Sequence, residues 1–123
     1  LKIAGLKYYL TVNHNVSGQK TSGIDIPIRH GEGCFITESE EILKKIENEN
    51  LVALRYSSRN PNGSVNDIAG ITDKTGRILG LMPHPEAFIF PENHPDWGRG
   101  FIKEGTGLQI FKNGVSYIKE NFK

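Results

Sequence analysis

The chain has one cysteine, Cys34, so no disulfide can form within it. A lone thiol fits a reducing cytoplasm, the compartment expected here. No apolar run approaches the length that spans a bilayer, and no signal-peptide pattern is visible, so a soluble chain with no membrane partner is expected. Charge of one sign is also missing. Fifteen Lys and Arg face fourteen Asp and Glu, the net charge is +1, and no basic block occurs. Such a surface does not attract nucleic acid or an acidic membrane. Histidine is sparse too. His14, His30, His84 and His94 lack the short recurring spacings that hold a metal, so none is expected. There is no internal repeat and no low-complexity tract. At 123 residues the chain is one domain or part of one. It opens on Leu1 rather than Met, as a cleaved or truncated product would, or one that has lost its initiator.

What is present reads as alternating strands and helices. Lys7–Val12 is aromatic and β-branched and predicts a strand, with a polar loop from Asn13 to Gly23. Ile24–Ile28 predicts a short strand, placed at an edge or a strand end by Pro27. Thr37-Glu-Ser-Glu40 has the pattern of a capping box, and predicts a helix to about Asn48 with Ile42, Leu43 and Ile46 on its apolar face. Leu51–Tyr56 predicts a strand and Asn60-Pro-Asn-Gly63 a turn. Ile68–Thr72 and Arg77–Met82 flank Asp73-Lys-Thr-Gly76, the composition of a β-hairpin. Ala87–Gly105 shows no period and is expected to be an extended surface loop. Leu108, Phe111, Val115, Ile118 and Phe122 fall on one face of a C-terminal amphipathic helix.

The most informative stretch is Leu79-Gly-Leu-Met-Pro-His-Pro-Glu86. A short apolar run stops at a proline-flanked histidine, and a carboxylate follows two residues on. On an extended, proline-restrained backbone, residues i and i+2 project to one side. A carboxylate there would fix the tautomer of the imidazole and stabilise its charged form, so His84 and Glu86 supply two members of a catalytic triad. A nucleophile is lacking. Cys34 has Glu32 two residues before it and Ile36 two after, where a nucleophile elbow needs small residues, so a partly buried structural thiol is expected. An unrelated hydrolase pairing Cys34 with His84 is the least favoured reading. His30 and Glu32 form a second His-x-Glu pair between Gly31 and Gly33, open to contact with a substrate or partner or to a plain turn. Asn60–Ser64 lacks the glycine run and lysine of a phosphate loop.

Asn60-Pro-Asn-Gly-Ser64, Ile68-Ala-Gly-Ile71, Gly80–Glu86, Ile26–Gly33 and Glu104-Gly-Thr-Gly-Leu-Gln-Ile-Phe111 together resemble one family. It is the class I, triad-type glutamine amidotransferases, and within them the glutaminase subunit of phosphoribosylformylglycinamidine synthase. Their shared order, not any single stretch, makes the resemblance specific. It implies a three-layer α/β/α flavodoxin-like fold. Residues 1–123 would be the C-terminal portion of a single amidotransferase domain, with a β-hairpin before the His-x-Glu loop. It also implies glutamine as substrate, hydrolysed at a cysteine through a glutamyl thioester, with ammonia passed to a synthetase that amidates formylglycinamide ribonucleotide in purine biosynthesis. His84 would be the general base and Glu86 its orienting partner. No cofactor belongs to this portion; ATP and Mg serve the synthetase, on a subunit or domain of its own. The nucleophilic cysteine of the family lies upstream of everything here, and Cys34 does not take its place. The chain alone is therefore expected to be inactive and to pair with the missing N-terminal half or to self-associate. The alternative is a non-catalytic scaffold or binding module that has lost the nucleophile.

Overall fold

A computed structural model describes residues 9–14, 23–29, 31, 33–57 and 59–122. Five strands form one sheet: β1 (Tyr9–His14), β2 (Gly23–Pro27), β3 (Val52–Tyr56), β4 (Ile68–Thr72) and β5 (Leu79–Leu81), in the order β2-β1-β3-β4-β5. Each adjacent pair is antiparallel. Helix α1 (Glu40–Asn48) lies between β2 and β3 in sequence, and α2 (Leu108–Asn121) closes the chain. Asn13 and His14 belong to β1 and Gly23 to β2, so the expected loop is shorter than predicted; residues 15–22 lie outside the described residues.

The two helices sit on opposite faces of the sheet. Ile68 and Ala69, consecutive on β4, are both fully buried and point to opposite faces. Ile68 packs with Leu43 of α1 and with Val52. Ala69 joins Ile26, Ile28, Leu54 and Tyr56, against which Ile110 of α2 packs. The result is the α/β/α layering expected. Val52 and Leu54 serve different sides although two residues apart. The pairing with β4 slips by one residue between them, from Val52↔Ile71 to Leu54↔Gly70, and such a bulge re-aims the strand.

The hairpin is confirmed. Thr72 pairs with Leu79 and Gly70 with Leu81. Asp73 organises its turn, accepting from the Thr75 hydroxyl at 2.6 Å and from the Arg77 and Ile78 amides at 3.0 Å. These bonds, the Thr75 hydroxyl's first, pull the Asp73 carboxyl from its ordinary 3.8 down to about 2. A lowered carboxyl pKa means the turn keeps this support above its ordinary value and loses it as pH falls toward 2.

Three expectations are corrected. Helix α1 is capped by Ser39, whose hydroxyl accepts from the Ile42 amide, not by Thr37. Ile42 occupies the position where a reciprocal capping box needs Glu or Gln, so the cap is one-sided. Ile42 is exposed, leaving Leu43 and Ile46 as the packed face. The stretch from Ala87 to Gly105 is not simply a surface loop. It is built on short 3-10 turns at Pro85–Ala87, Pro91–Asn93 and Trp97–Arg99, with Phe88 and His94 buried beneath them, ring centroids 5.4 Å apart. Single turns have no period to read, which is why the pattern was silent. Helix α2 forms as predicted, and Phe111, Val115, Ile118 and Phe122 stand about half exposed.

The cap assignment can be checked directly. Ser39→Ala is expected to cost about 1 kcal/mol in denaturant unfolding. Thr37→Ala should change stability by less than about 0.5 kcal/mol.

Candidate active site

His84 stands where β5 ends. Pro83 before it and Pro85 after it cannot donate backbone hydrogen bonds, so the ladder stops there. Two backbone anchors fix the segment: the Met82 amide donates to the Ala69 carbonyl at 2.9 Å, and the His84 amide to the Pro27 carbonyl at 2.8 Å. Pro85 then opens a 3-10 turn, a position that suits its fixed φ, and is buried. That turn brings Glu86 back beside His84. Nδ1 of His84 lies 2.7 Å from Oε1 of Glu86, with the imidazole partly open to solvent.

The turn is held from behind by glycines. A methyl group at Gly107 would lie 2.0 Å from the Pro85 carbonyl oxygen, and one at Gly105 2.3 Å from the Ile89 carbonyl carbon. The Gly107 amide donates to the Phe88 carbonyl at 3.0 Å. The start of α2 thus presses backbone to backbone on the turn that carries Glu86.

The electrostatics follow from this geometry. The hydrogen bond from His84 holds the Glu86 carboxyl below its ordinary 4.5, helped by its own backbone amide and more weakly by the charges of His84 and Arg29. With Nδ1 engaged by the carboxylate, the proton on that nitrogen makes the bond and Nε2 is left as the basic atom. The pair can take up a proton at Nε2 and return it, which is general acid–base chemistry.

The other predicted residues fare differently. His30 and Glu32 lie outside the described residues. Cys34 is exposed and not the partly buried thiol expected, because Gly33 and Cys34 run along the surface before Phe35 turns inward. Among the described residues no cysteine bonds the imidazole, whose partner is Glu86. No group of three or more His, Cys, Asp or Glu among the described residues is arranged to hold a metal ion. A cleft of about 260 Å³ between β2 and the start of α2, lined by Ile24, Ile89, Lys103, Gln109 and Lys112, includes neither His84 nor Glu86. The sequence reading missed Arg29, whose charge reaches Glu86, and the Pro27 carbonyl that seats His84. Backbone partners leave no mark in composition.

Residues 9–118 match the family model of the CobB/CobQ-like glutamine amidotransferase domain. The chain belongs to this family. It is 46% identical over 98 residues to the phosphoribosylformylglycinamidine synthase subunit PurQ of Leifsonia xyli subsp. xyli, covering 80% of this chain and 40% of the relative. It is 39% identical over 122 residues to the PurQ subunit of Dehalococcoides mccartyi, covering 91% of this chain and 48% of the relative. Among solved structures it is similar to a chain in the structure of PurLQS from Thermotoga maritima, with a TM-score of 0.62 and 26% identity, covering 89% of this chain and 46% of that one. The chain therefore has the class I amidotransferase fold, and it spans less than half the length of these curated relatives. No helix among the described residues is long and apolar enough to cross a membrane.

Two measurements probe the site. In a carboxyl-detected NMR titration, Glu86 should titrate below 4.5, and His84→Ala should return its midpoint toward 4.5. Gly107→Ala should destabilise the fold by about 1–3 kcal/mol or more, because backbone, not a flexible side chain, fills the space.

Proposed function

We propose that this chain is the C-terminal portion of a glutaminase that supplies ammonia for the amidation of formylglycinamide ribonucleotide in purine biosynthesis. The observation that carries the reading is the 2.7 Å His84–Glu86 contact at the end of β5, in a chain similar to PurQ subunits. The nucleophile is a cysteine thiol outside these 123 residues, on the N-terminal half of the same domain. His84 Nε2 takes the thiol proton as sulfur attacks the carboxamide carbon of glutamine. The carbon–nitrogen bond then breaks, and the departing nitrogen leaves as ammonia with the proton from His84. Water, deprotonated by Nε2 of His84, attacks the thioester; the carbon–sulfur bond breaks, glutamate is released, and the sulfur takes back the proton from Nε2. Glu86 holds the imidazole in the required tautomer and stabilises its cationic form.

The N-terminal half has a surface to occupy. Among the described residues β5, three residues long, is an edge strand, and its Leu79 and the preceding Ile78 are exposed. The half-exposed face of α2 adjoins them through Arg77, whose guanidinium sits 5.1 Å from the Phe122 ring. A free edge and an apolar face of this kind are covered in a finished domain. The ammonia acceptor is a synthetase subunit or domain that uses ATP and Mg, and the reaction belongs to the cytoplasm. His30 and Glu32 are contact residues for glutamine or for that synthetase.

The test uses the full reading frame. The full-length protein should release glutamate from glutamine, and His84→Ala should lower kcat/KM by about 10³-fold or more. Glu86→Gln should lower it while the fold is retained. The 123-residue chain alone should show no turnover and should recover it with the separately expressed N-terminal half. A full-length protein with sound folding and no glutaminase activity would instead favour the non-catalytic scaffold.

A further inference from the structure

The loop from Asn60 to Ser64 does more than reverse the chain. Asn60 accepts from the Asn62 and Gly63 amides at 3.2 and 2.8 Å, and Gly63 takes a φ of +76°, so this loop is self-supporting. Asn62 then has its side chain free for other work. Its Oδ1 accepts from the Ser64 hydroxyl at 2.8 Å and from the Ser64 amide at 3.2 Å. Burial pushes the Tyr56 phenol up to about 12, and a hydrogen bond from the Asn62 side chain draws it partly back. Asn62 Nδ2 reaches across the fold and donates to the Gly33 carbonyl at 2.8 Å. The same loop grips the next residues. The buried Ser64 hydroxyl accepts from the Phe35 amide at 2.9 Å, and the Val65 amide donates to the Phe35 carbonyl at 2.9 Å.

Gly33 has a second neighbour. A methyl group there would stand 3.1 Å from Met82 Cε, so bare glycine backbone lies against the Met82 side chain. Met82 is two residues before His84. The strand end carrying the imidazole is thus steadied from two directions: Pro27 accepts from the His84 amide, and Gly33, pinned by Asn62, lies against Met82.

We infer that Asn62 is a positioning residue for the glutaminase reaction, fixing His84 through Gly33 and Met82. The inference rests on the proposed role of His84 and Glu86. Asn62 touches no reacting atom. Its amide removes the freedom of Gly33 to drift from Met82, and so sets how closely the imidazole approaches the thiol. Small misplacements of a reacting group cost rate steeply, while substrate binding is left alone.

The experiment uses the full-length protein and Asn62→Asp. That change keeps the oxygen that accepts from Ser64 and removes the donor to Gly33. Active sites are counted by covalent titration with a glutamine chloroketone, so that unfolded protein is not scored as slow protein. Per titrated site, kcat for glutamate release should fall about tenfold with KM within about twofold. Hydrogen–deuterium exchange should quicken in peptides covering 33–35 and 82–84 and stay unchanged in α1. A kcat per site within about twofold of wild type overturns the inference, whatever the melting temperature does. So does a loss of kcat with no change in exchange at 82–84, or a change confined to KM. A wild-type full-length protein without turnover overturns the glutaminase reading and this inference together; an active wild type matched by its variant overturns the role of Asn62 alone.

Discussion

The arrangement depends on a contact that only glycine permits. Gly105 and Gly107 bring the start of α2 directly onto the backbone of Pro85, Phe88 and Ile89. Because no side chain intervenes, the turn carrying Glu86 cannot relax away from His84 without moving a whole helix. The Thr106 hydroxyl adds a bond from the same segment to the Asp25 carbonyl at 2.5 Å. Helix, turn and edge strand β2 are thereby joined within a few residues. Rigid support of this kind keeps a two-residue acid–base pair in one geometry, and a short His–Glu bond on an open loop would otherwise cost conformational entropy each time it formed.

Away from that contact, short polar side chains do much of the structural work. Asp73 closes the hairpin turn, Ser39 starts α1, and Asn60, Asn62 and Ser64 shape the crossing between residues 33–35 and the β3–β4 connection. Each bonds nearby backbone groups that would otherwise be left unmatched. Asn66 and Asp67, both with positive φ, occupy the left-handed region that such residues tolerate, and Arg55 secures them by bonding the Asn66 carbonyl while its other nitrogen meets Glu47 at 2.9 Å. Among the described residues few apolar side chains are fully buried, and these bonds decide where the chain turns.

Much of the fold was legible in advance. Strands β3, β4 and β5, the hairpin between the last two and both helices follow from β-branched runs, turn residues and helical spacing. The pairing of His84 with Glu86 was legible from their two-residue spacing between prolines, but its geometry was not: the backbone is a 3-10 turn at Pro85–Ala87 and not the extended segment expected. The helix cap was misread because Thr37 and Ser39 both suit that role by type, and the choice depends on where α1 meets the sheet. Cys34 was misread because burial depends on the neighbouring layer. The stretch from Ala87 to Gly105 gave no signal, although Phe88 and His94 are buried there, because single turns carry no period.

Sequence by itself determined the local events: which residues favour strand or helix, where prolines end β5, and that an imidazole and a carboxylate leave the chain on one side. It also carried the family, through motifs kept in order. Only the tertiary structure decided what those groups rest against. The seat of His84 on the Pro27 carbonyl, the reach of Asn62 to Gly33, the charge of Arg29 near Glu86 and the open face of α2 join residues far apart in the chain. Contacts at such separations depend on how layers pack and on backbone atoms common to all residues, so the side-chain pattern along the chain does not encode them one residue at a time.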